Sequence, residues 1–208
     1  MAYSLNLLTS EQIHDPSALF KFAVGELQLG VKKSKHPFHL VSLCSSIDNM
    51  PDARTVVSRG IDENLTHVRI HSDQRSQKNS QLISNENVAL LYYSSAQKLQ
   101  VRLHGIAQVI TQDNERKSFF DSSSLHSKLC YAFPIAPGSA LKEQTKEAQF
   151  ESITAANFDD YEAVAQTNFS VINVQILDAD ILWLSKSGHI RIMGERTNDT
   201  WNFEFVVA

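Results

Sequence analysis

The sequence predicts a mainly β protein in which an antiparallel β-barrel is flanked by helices. Short runs rich in β-branched and aromatic residues recur between residues 38 and 110, and again between 169 and 206. Turn-forming residues separate most of these runs, which is typical of barrels. The motifs GxGxxG and GxxxxGK, which would favour a parallel nucleotide-binding sheet, do not occur. With 208 residues, 42% of them hydrophobic, the chain can bury one sizeable core, and we expect a single domain over residues 1–208.

The first predicted element is an amphipathic helix over residues 16–31. Asp15 is a favourable N-cap, and Pro16 suits the first helical position. Apolar residues recur at helical spacing after this start, which predicts one buried face. They are Leu19, Phe20, Ala23, Val24, Leu27 and Val31. Gly30 and the basic run KKSK end the helix. We interpret this run as a solvated helix end, and the alternative is an anion patch of Lys32, Lys33 and Lys35.

The barrel core is predicted over residues 38–110 and 169–206. The first run, 38–47, is followed by the turn DNMPD, and the next run, 53–59, pairs back and ends at Gly60. Runs 66–72, 87–94 and 98–110 then continue an antiparallel meander. A short helix interrupts the meander after Ser72-Asp73, two residues that are favourable N-caps. The last strands are predicted at 169–177, 181–184, 189–194 and 200–206.

A helical insertion is predicted over residues 112–165, between the two parts of the barrel. Its first helix begins at 112 and ends near Asp121, before a serine-rich turn. A proline-containing loop follows, and residues 141–165 are predicted to be helical, with Phe150, Ile153 and Ala156 on the inner face.

Composition and charge exclude several function classes. The net charge of −4 argues against a broad nucleic-acid-binding face, and no apolar run approaches the roughly 18 residues that span a membrane. The N-terminus lacks the features of a signal peptide, so we expect a cytoplasmic protein. Cys44 and Cys130 lie in apolar contexts, which suggests buried thiols in a reducing compartment. The eight histidines show no metal-binding spacing, so no metal is expected.

Cations and hydroxyls gather at the ends of the predicted strands. Arg54 begins one strand, Ser72 ends another, and Ser76 and Lys78 follow at the predicted helix start. Hydroxyls and cations beside a helix N-terminus favour a phosphorylated ligand. The same residues, taken alone, also fit a capped surface helix with solvated cations.

Four blocks in fixed order carry a resemblance to a known family. RTVVSRG, HSDQRSQK, LLYY and LQVRLHG resemble the pyridoxamine 5'-phosphate oxidase-like FMN-binding split barrels, and the resemblance extends from about residue 36 to 201. It implies an antiparallel split β-barrel, FMN as cofactor, and a homodimer with the flavin at the interface. The helix start, DQRSQK, is more similar to a less characterised oxidase-like subfamily than to the oxidases proper.

The resemblance also implies the residues that bind the cofactor. Arg54 and Lys78 would hold the FMN phosphate with Ser72 and Ser76, since guanidinium and ammonium groups suit phosphate oxygens. The remaining residues implied at the flavin are the backbone of Thr55, Val56 and Val57, and the side chains of Gln100, Trp183 and Arg191. For His71, stacking near the flavin and a surface position on the strand are both open.

The substrate-binding residues of the oxidases proper are only partly present. Phe119 stands where the family has a tyrosine, and Ser123 and Ser187 stand where it has arginines, whereas Ser127 and His189 are kept. Each charged hydrogen bond to a phosphate contributes about 1.5–3 kcal/mol, so these changes argue against pyridoxamine 5'-phosphate as the substrate.

The expected function is therefore that of an FMN-dependent oxidoreductase acting on another small molecule, with the cofactor carrying the chemistry. The alternatives are a flavin-binding protein without turnover and a deazaflavin- or haem-binding relative of the same fold.

Overall fold

The computed structural model describes residues 7–110, 112–140, 153–198 and 200–208. The chain contacts divide it into two compact units. Of the described residues, those within 1–70, 85–108 and 173–208 form the first unit, and those within 71–84 and 109–172 form the second. The expectation of a single domain stays a prediction.

Eight strands form one sheet in the order β3-β2-β1-β4-β5-β6-β7-β8. The strands are β1 Leu40–Ile47, β2 Met50–Ile61, β3 His67–Asp73, β4 Asn87–Ser94, β5 Leu99–Ile110, β6 Phe169–Trp183, β7 Ile190–Thr197 and β8 Thr200–Val206. Because β3 also pairs with β6, six of the strands close into a barrel, and β7 and β8 extend the sheet from β6. The predicted antiparallel barrel is confirmed.

The predicted meander is wrong at one connection. Strand β4 pairs with β1 rather than with β3, in the register Ser42↔Leu91 and Cys44↔Ala89. The connection from β3 to β4 carries a helix, so it is long enough to return the chain to the other side of β1. The predicted end of β2 at Gly60 is also wrong, because the strand continues through this residue to Ile61.

Six α-helices occur among the described residues. They are α1 Ser10–His14, α2 Pro16–Lys32, α3 Gln77–Ser84, α4 Asp113–Asp121, α5 Leu125–Leu129 and α6 Glu162–Asn168. Helix α2 confirms its prediction, and the Asp15 carboxylate accepts a hydrogen bond from Ser17 N at 2.9 Å. Helix α1 is an element that the sequence analysis missed, although Thr9 and Gln12 form a capping box there.

Two helix predictions need correction. Helix α3 begins at Gln77, so Ser72 and Asp73 are not its caps but the last residues of β3. In the predicted helix 141–165, residues 141–152, including Phe150, lie outside the described part of the chain. The described remainder forms turns and the short 3-10 helix Phe158–Asp160 until α6 begins at Glu162. Ile153 is buried as predicted, but Ala156 is exposed.

Each unit has its own core. In the first unit, inward side chains of the barrel strands are fully buried, and α2 contributes Leu19, Ala23 and Leu27. In the second unit, aromatic side chains pack around Phe169, with the Tyr131 ring at 5.0 Å and the Phe120 ring at 5.5 Å between centroids. Both cores follow from the hydrophobic effect, which drives large apolar side chains out of water.

A cluster of buried polar side chains connects α2 to other parts of the first unit. Glu26 Oε2 accepts hydrogen bonds from His36 Nε2 at 3.1 Å and from Gln97 Nε2 at 2.6 Å. His36 Nδ1 accepts from Phe38 N, which fixes the tautomer that carries its proton on Nε2. All three side chains are almost completely buried, so the carboxylate needs these donors.

Neither cysteine is a buried thiol as predicted. Cys44 is half-buried, and Cys130 is exposed just after α5. None of the described helices is long and apolar enough to cross a membrane.

Candidate functional site

A cluster of hydroxyls and one ammonium group lies where β3 leads into α3, within the second unit. The Ser72 and Ser76 hydroxyl oxygens are 3.2 Å apart, and Lys78 Nζ donates a hydrogen bond to Ser76 Oγ at 3.1 Å. Both serines are buried, whereas Lys78 is half-buried in the first turn of the helix. The structure therefore brings together three of the residues predicted to bind phosphate.

Asp73 and Arg75 shape the turn that carries this cluster. The Asp73 carboxylate accepts from Arg75 N at 2.9 Å and pairs with the Arg75 guanidinium at 3.0 and 2.7 Å. Arg75 also donates to the carbonyls of Phe133 and Pro134. Because the guanidinium is committed to these acceptors, Arg75 supports the turn, and Lys78 is the cation of the cluster.

Arg54 lies in the first unit, on β2. Its guanidinium donates to Ser45 Oγ at 2.7 Å and to Leu43 O at 3.3 Å, and it forms an ion pair with Asp52. The side chain is 21% exposed, so it can still reach an external anion. A phosphate on Arg54 would compete with the Asp52 carboxylate for the guanidinium.

The backbone of β2 around Thr55, Val56 and Val57 pairs with β1, in the register Ser42↔Thr55 and Leu40↔Val57. On its other side, the ladder between β2 and β3 includes Ser58, Gly60 and Ile61. Residues 55–57 therefore do not pair with β3. Their backbone groups on this edge of β2 are available to hydrogen-bond a ligand.

Three strands of the first unit build a charged cluster around Asp180. Arg191 Nε and Nη2 donate to the Asp180 carboxylate at 2.9 and 2.8 Å, and Arg102 forms an ion pair with the same carboxylate. Burial raises the pKa of Asp180, but the hydrogen bonds and charges of the two arginines outweigh it and hold the pKa below its ordinary value of 3.8. The same contact raises the pKa of Arg191.

The two predicted C-terminal flavin residues do not share a face of the sheet. Arg191 lies opposite Leu182 and Trp183 lies opposite Ile190 in the ladder between β6 and β7. Since side chains alternate along a strand, Trp183 and Arg191 point to opposite faces. Gln100 is half-buried on β5 and lies opposite Tyr93 of β4.

The residues predicted for a substrate pocket are divided between the two units. In the second unit, Phe119 lies 6.4 Å from the His71 ring between centroids, and Ser123 Oγ donates to Phe119 O. Ser127 is buried and hydrogen-bonds to Ser124. In the first unit, the exposed Ser187 hydroxyl contacts Ser185, whose backbone N donates to His189 Nδ1. These hydroxyls are thus engaged in local hydrogen bonds.

His71 has a defined aromatic environment in the second unit. Its ring meets the Phe169 ring edge-on, with 4.9 Å between centroids and an angle of 76° between planes. The position is therefore packed against the core of that unit and is not a simple surface site on a strand.

Comparison with known proteins identifies the relatives of the chain. Residues 21–111 match the sequence model of a family described as "Pyridoxamine 5'-phosphate oxidase, FMN-binding domain". Over these residues, the chain is similar to a pyridoxamine 5'-phosphate oxidase-like FMN-binding domain. This match includes Arg54, the serine–lysine cluster and Gln100, and it confirms both the family resemblance and FMN as the cofactor that the domain implies.

Curated relatives of the FMN-binding domain are named as oxidases. "Pyridoxine/pyridoxamine 5'-phosphate oxidase 2" of Arabidopsis thaliana is 31% identical over 110 residues, which are 50% of this chain and 55% of the relative. "Pyridoxine/pyridoxamine 5'-phosphate oxidase" of Bradyrhizobium sp. is 28% identical over 118 residues, 57% of this chain and 52% of the relative. The chain thus spans about half the length of the curated relatives that it matches.

Solved structures support the fold of the domain. A pyridoxamine 5'-phosphate oxidase-related, FMN-binding protein from Nostoc punctiforme has a TM-score of 0.73 and 21% identity, with 91% of this chain and 97% of that chain covered. PhzG from Burkholderia lata 383 has a TM-score of 0.66 and 15% identity, with 99% and 100% covered. At these identities, the likeness concerns the fold.

The residues of the domain fit the phosphate of FMN. Two buried hydroxyls and an ammonium group at the first turn of α3 form a donor set that suits phosphate oxygens, and the N-terminal end of a helix favours negative charge. In the first unit, Arg102 Nε is a buried donor without a hydrogen-bond partner among the described residues. An acceptor-rich ligand would satisfy this group.

Two functional features were missed from the sequence. Asp180 anchors Arg102 and Arg191, and Asp73 orders the turn before the serine–lysine cluster. A signal existed for Asp180, because a charged residue in an apolar strand run such as DADILW marks a paired position. The local sequence pattern predicts Asp73 only as a helix cap.

Proposed function

We propose that this chain is an FMN-dependent oxidoreductase that acts on a small molecule as a homodimer, with the flavin at the subunit interface. The observation that carries the proposal is the cluster of Ser72, Ser76 and Lys78 at the start of α3, within the matched FMN-binding domain. FMN, when bound, supplies hydride transfer, so no side chain of the chain has to act as the redox group.

The protein residues bind and orient the cofactor in this proposal. Lys78 and the two serine hydroxyls hold the phosphate, and Arg54 adds a second cation, which would exchange part of its contact with Asp52 for the ligand. The backbone at residues 55–57 and the Gln100 amide bond the polar edge of the flavin ring. Arg191 is held in one orientation by Asp180 and presents a fixed positive charge.

The substrate is proposed to differ from those in the names of the curated relatives. Phe119 offers no hydroxyl or charge, and Ser123 and Ser187 are neutral side chains whose hydroxyls already serve local contacts. A phosphorylated substrate would therefore find no cation at these three positions. The cytoplasmic location and the closer likeness to the oxidase-like subfamily also stay predictions.

The visible spectrum of the purified protein, before and after FMN is added and the mixture is gel-filtered, tests flavin binding. We expect bands of oxidised flavin that co-elute with the protein at about one FMN per chain, and that are lost in the Arg54→Ala/Lys78→Ala variant. Lys117→Ala is the matched control, because Lys117 pairs with Asp121 on α4. A colourless protein that retains no FMN would contradict the proposal, and a Soret band would indicate haem instead.

Turnover is tested on the flavin-loaded protein. Dithionite should bleach the flavin bands, and oxygen or an added acceptor should restore them. Bleaching by a nicotinamide or by a candidate substrate, followed by reoxidation, is the result expected of an oxidoreductase. Flavin that no physiological donor reduces would support the non-catalytic binder, and a cofactor spectrum with the blue-shifted band of a deazaflavin would replace FMN in the proposal.

A further inference from the structure

Two arginines from different strands meet on one buried carboxylate in the first unit. Arg102 of β5 and Arg191 of β7 both form ion pairs with Asp180, which belongs to β6, the strand between them. The carboxylate is buried, whereas both guanidinium groups are partly exposed. A guanidinium group stays protonated in proteins, so two positive charges face one negative charge here. One positive charge of this arginine cluster is therefore not compensated.

Arg102 keeps donors that its ion pair does not use. Its Nη2 atom donates to Asp180 Oδ2, and Arg191 already donates to both oxygens of the same carboxylate, through Nε at 2.9 Å and Nη2 at 2.8 Å. None of the described residues supplies an acceptor for the buried Nε atom of Arg102. A buried donor without an acceptor is unfavourable, so this atom fits a position where a bound ligand supplies the acceptor.

The arginine cluster lies beside Gln100, the β5 residue that we propose for the polar edge of the flavin ring. Gln100 and Arg102 point to the same face of β5, because side chains alternate along a strand, and their Cα atoms are about 7 Å apart. Across the ladder to β4, the residues opposite them are the uncharged Tyr93 and Leu91.

A second carboxylate of β6 is engaged elsewhere. Asp178, two residues before Asp180, accepts a hydrogen bond from His104 Nδ1 at 2.6 Å. Asp180 therefore remains the carboxylate that holds Arg102, and the charge of the arginine cluster lies next to Gln100.

We propose that Arg102 is a further residue of the flavin site, where it acts with Arg191 to stabilise the negative charge that the flavin ring acquires on reduction. Hydride from a donor such as a reduced nicotinamide brings two electrons and one proton, which oxidises the donor and leaves one negative charge on the previously neutral ring. Positive charge near the ring nitrogens favours that reduced form. Asp180 is the positioning residue, since it holds both guanidinium groups. This inference rests on the proposed function, because it requires bound FMN.

The test is a spectroscopic redox titration, against a reference dye, of FMN bound to the full-length protein. Arg102→Gln should shift the equilibrium about tenfold towards oxidised flavin, which lowers the midpoint potential by about 30 mV for a two-electron couple. Through the thermodynamic cycle, the variant should also weaken the binding of reduced FMN about tenfold more than that of oxidised FMN. A residue with only a structural role would weaken the binding of both forms equally and leave the potential unchanged.

Three further variants complete the comparison. Arg102→Met retains an unbranched side chain without the charge and should give the same shift, whereas Arg102→Lys keeps the charge and should restore most of the potential. Lys21→Gln is the matched control, because it removes one positive charge from the exposed face of α2 and should leave the potential unchanged. The Arg102 variants should stay folded, which circular dichroism would verify, since Asp180 keeps both hydrogen bonds from Arg191.

The outcomes separate this inference from the proposed function. If the unchanged protein binds no FMN, the proposed function fails and the role of Arg102 fails with it. If FMN binds, but Arg102→Gln and Arg102→Met have the midpoint potential of the unchanged protein, the proposed function stands and only the role of Arg102 is overturned. The same holds if Lys21→Gln lowers the potential as much as the Arg102 variants do.

Discussion

The Asp180 side chain is 3% exposed, and its carboxylate forms ion pairs with both Arg102 and Arg191. Asparagine has nearly the same shape but no charge, so Asp180→Asn would leave Arg102 and Arg191 without their anionic partner. We expect the variant to lower the free energy of unfolding at pH 7 by about 1–3 kcal/mol, the range for losing a charged hydrogen-bond partner. The half-exposed arginines stay solvated, which keeps the loss at this level. Urea unfolding would measure it.

The pH dependence of this loss follows from the pKa of Asp180. Because the pKa in the folded protein is below the ordinary value of 3.8, the carboxylate adds stability at pH values above 3.8. That contribution is lost as the pH falls through the folded pKa. The difference between the unchanged protein and Asp180→Asn should therefore shrink between pH 5 and pH 2. Asp178→Asn, on a more exposed carboxylate of the same strand, is the control, and a difference that stays constant with pH would contradict this account.

Local spacing made some residues of the candidate site predictable. Ser72, Ser76 and Lys78 lie within seven positions of one another, so a strand that runs into a helix brings them together whatever the rest of the fold does. Asp52 is a local partner of Arg54, whereas the contacts of Arg54 with Ser45 and of Arg191 with Asp180 depend on strand register. Asp180 meets Arg102 only because β5 and β6 are neighbours, which no local pattern encodes.

At the scale of elements, α2 could be predicted because its cap, its proline and its apolar spacing are all local signals. Strand pairing is not local. A β-bulge in β2 adds one residue without changing the composition of the strand, so the local pattern does not reveal that β2 continues past Gly60. The pairing of β4 with β1 likewise depends on which strand of the sheet has an unpaired edge, and not on the residues that connect β3 to β4.

Two glycines of α2 make opposite contributions to this element. A Cβ atom at Gly30 would lie 2.4 Å from the Phe38 carbonyl oxygen, which belongs to the backbone and cannot easily move. A Cβ atom at Gly25 would meet nothing within 4 Å. We expect Gly30→Ala to destabilise the protein by about 1–3 kcal/mol through overpacking. Gly25→Ala should instead stabilise it by up to about 1 kcal/mol, because alanine is the better helix former.

Thermal or urea unfolding of both variants would check this pair. The two substitutions change the same residue type in the same helix, so a difference in sign isolates the close approach of α2 to the segment before β1. Equal effects would contradict the contact between Gly30 and Phe38.

At the scale of the whole molecule, the outer face of the barrel in the first unit bears large apolar side chains. Leu40 on β1 is 51% exposed, and Tyr93 and Leu91 on β4 are 49% and 36% exposed. They share one face, because Leu91 lies opposite Ser42 and residues alternate along each strand. Gln100 lies opposite Tyr93, so this apolar face continues into a residue proposed for the flavin.

An exposed apolar face of this kind marks an interaction surface, and the proposed homodimer would cover it with a second copy of the chain. Tyr93→Lys places a charge in the middle of the face, where burial without a partner is unfavourable. We expect the variant to sediment as a monomer in analytical ultracentrifugation and to lose at least tenfold in FMN affinity, although Lys78 is unchanged.

Leu7→Lys is the control, because Leu7 is an exposed leucine outside the sheet, and this variant should remain dimeric and retain FMN. If Tyr93→Lys stays dimeric, the interface lies elsewhere. A monomer that binds FMN as tightly as the unchanged protein would show that a single chain forms the whole flavin site. FMN affinity should depend on dimerisation only if the second copy contributes residues to the site.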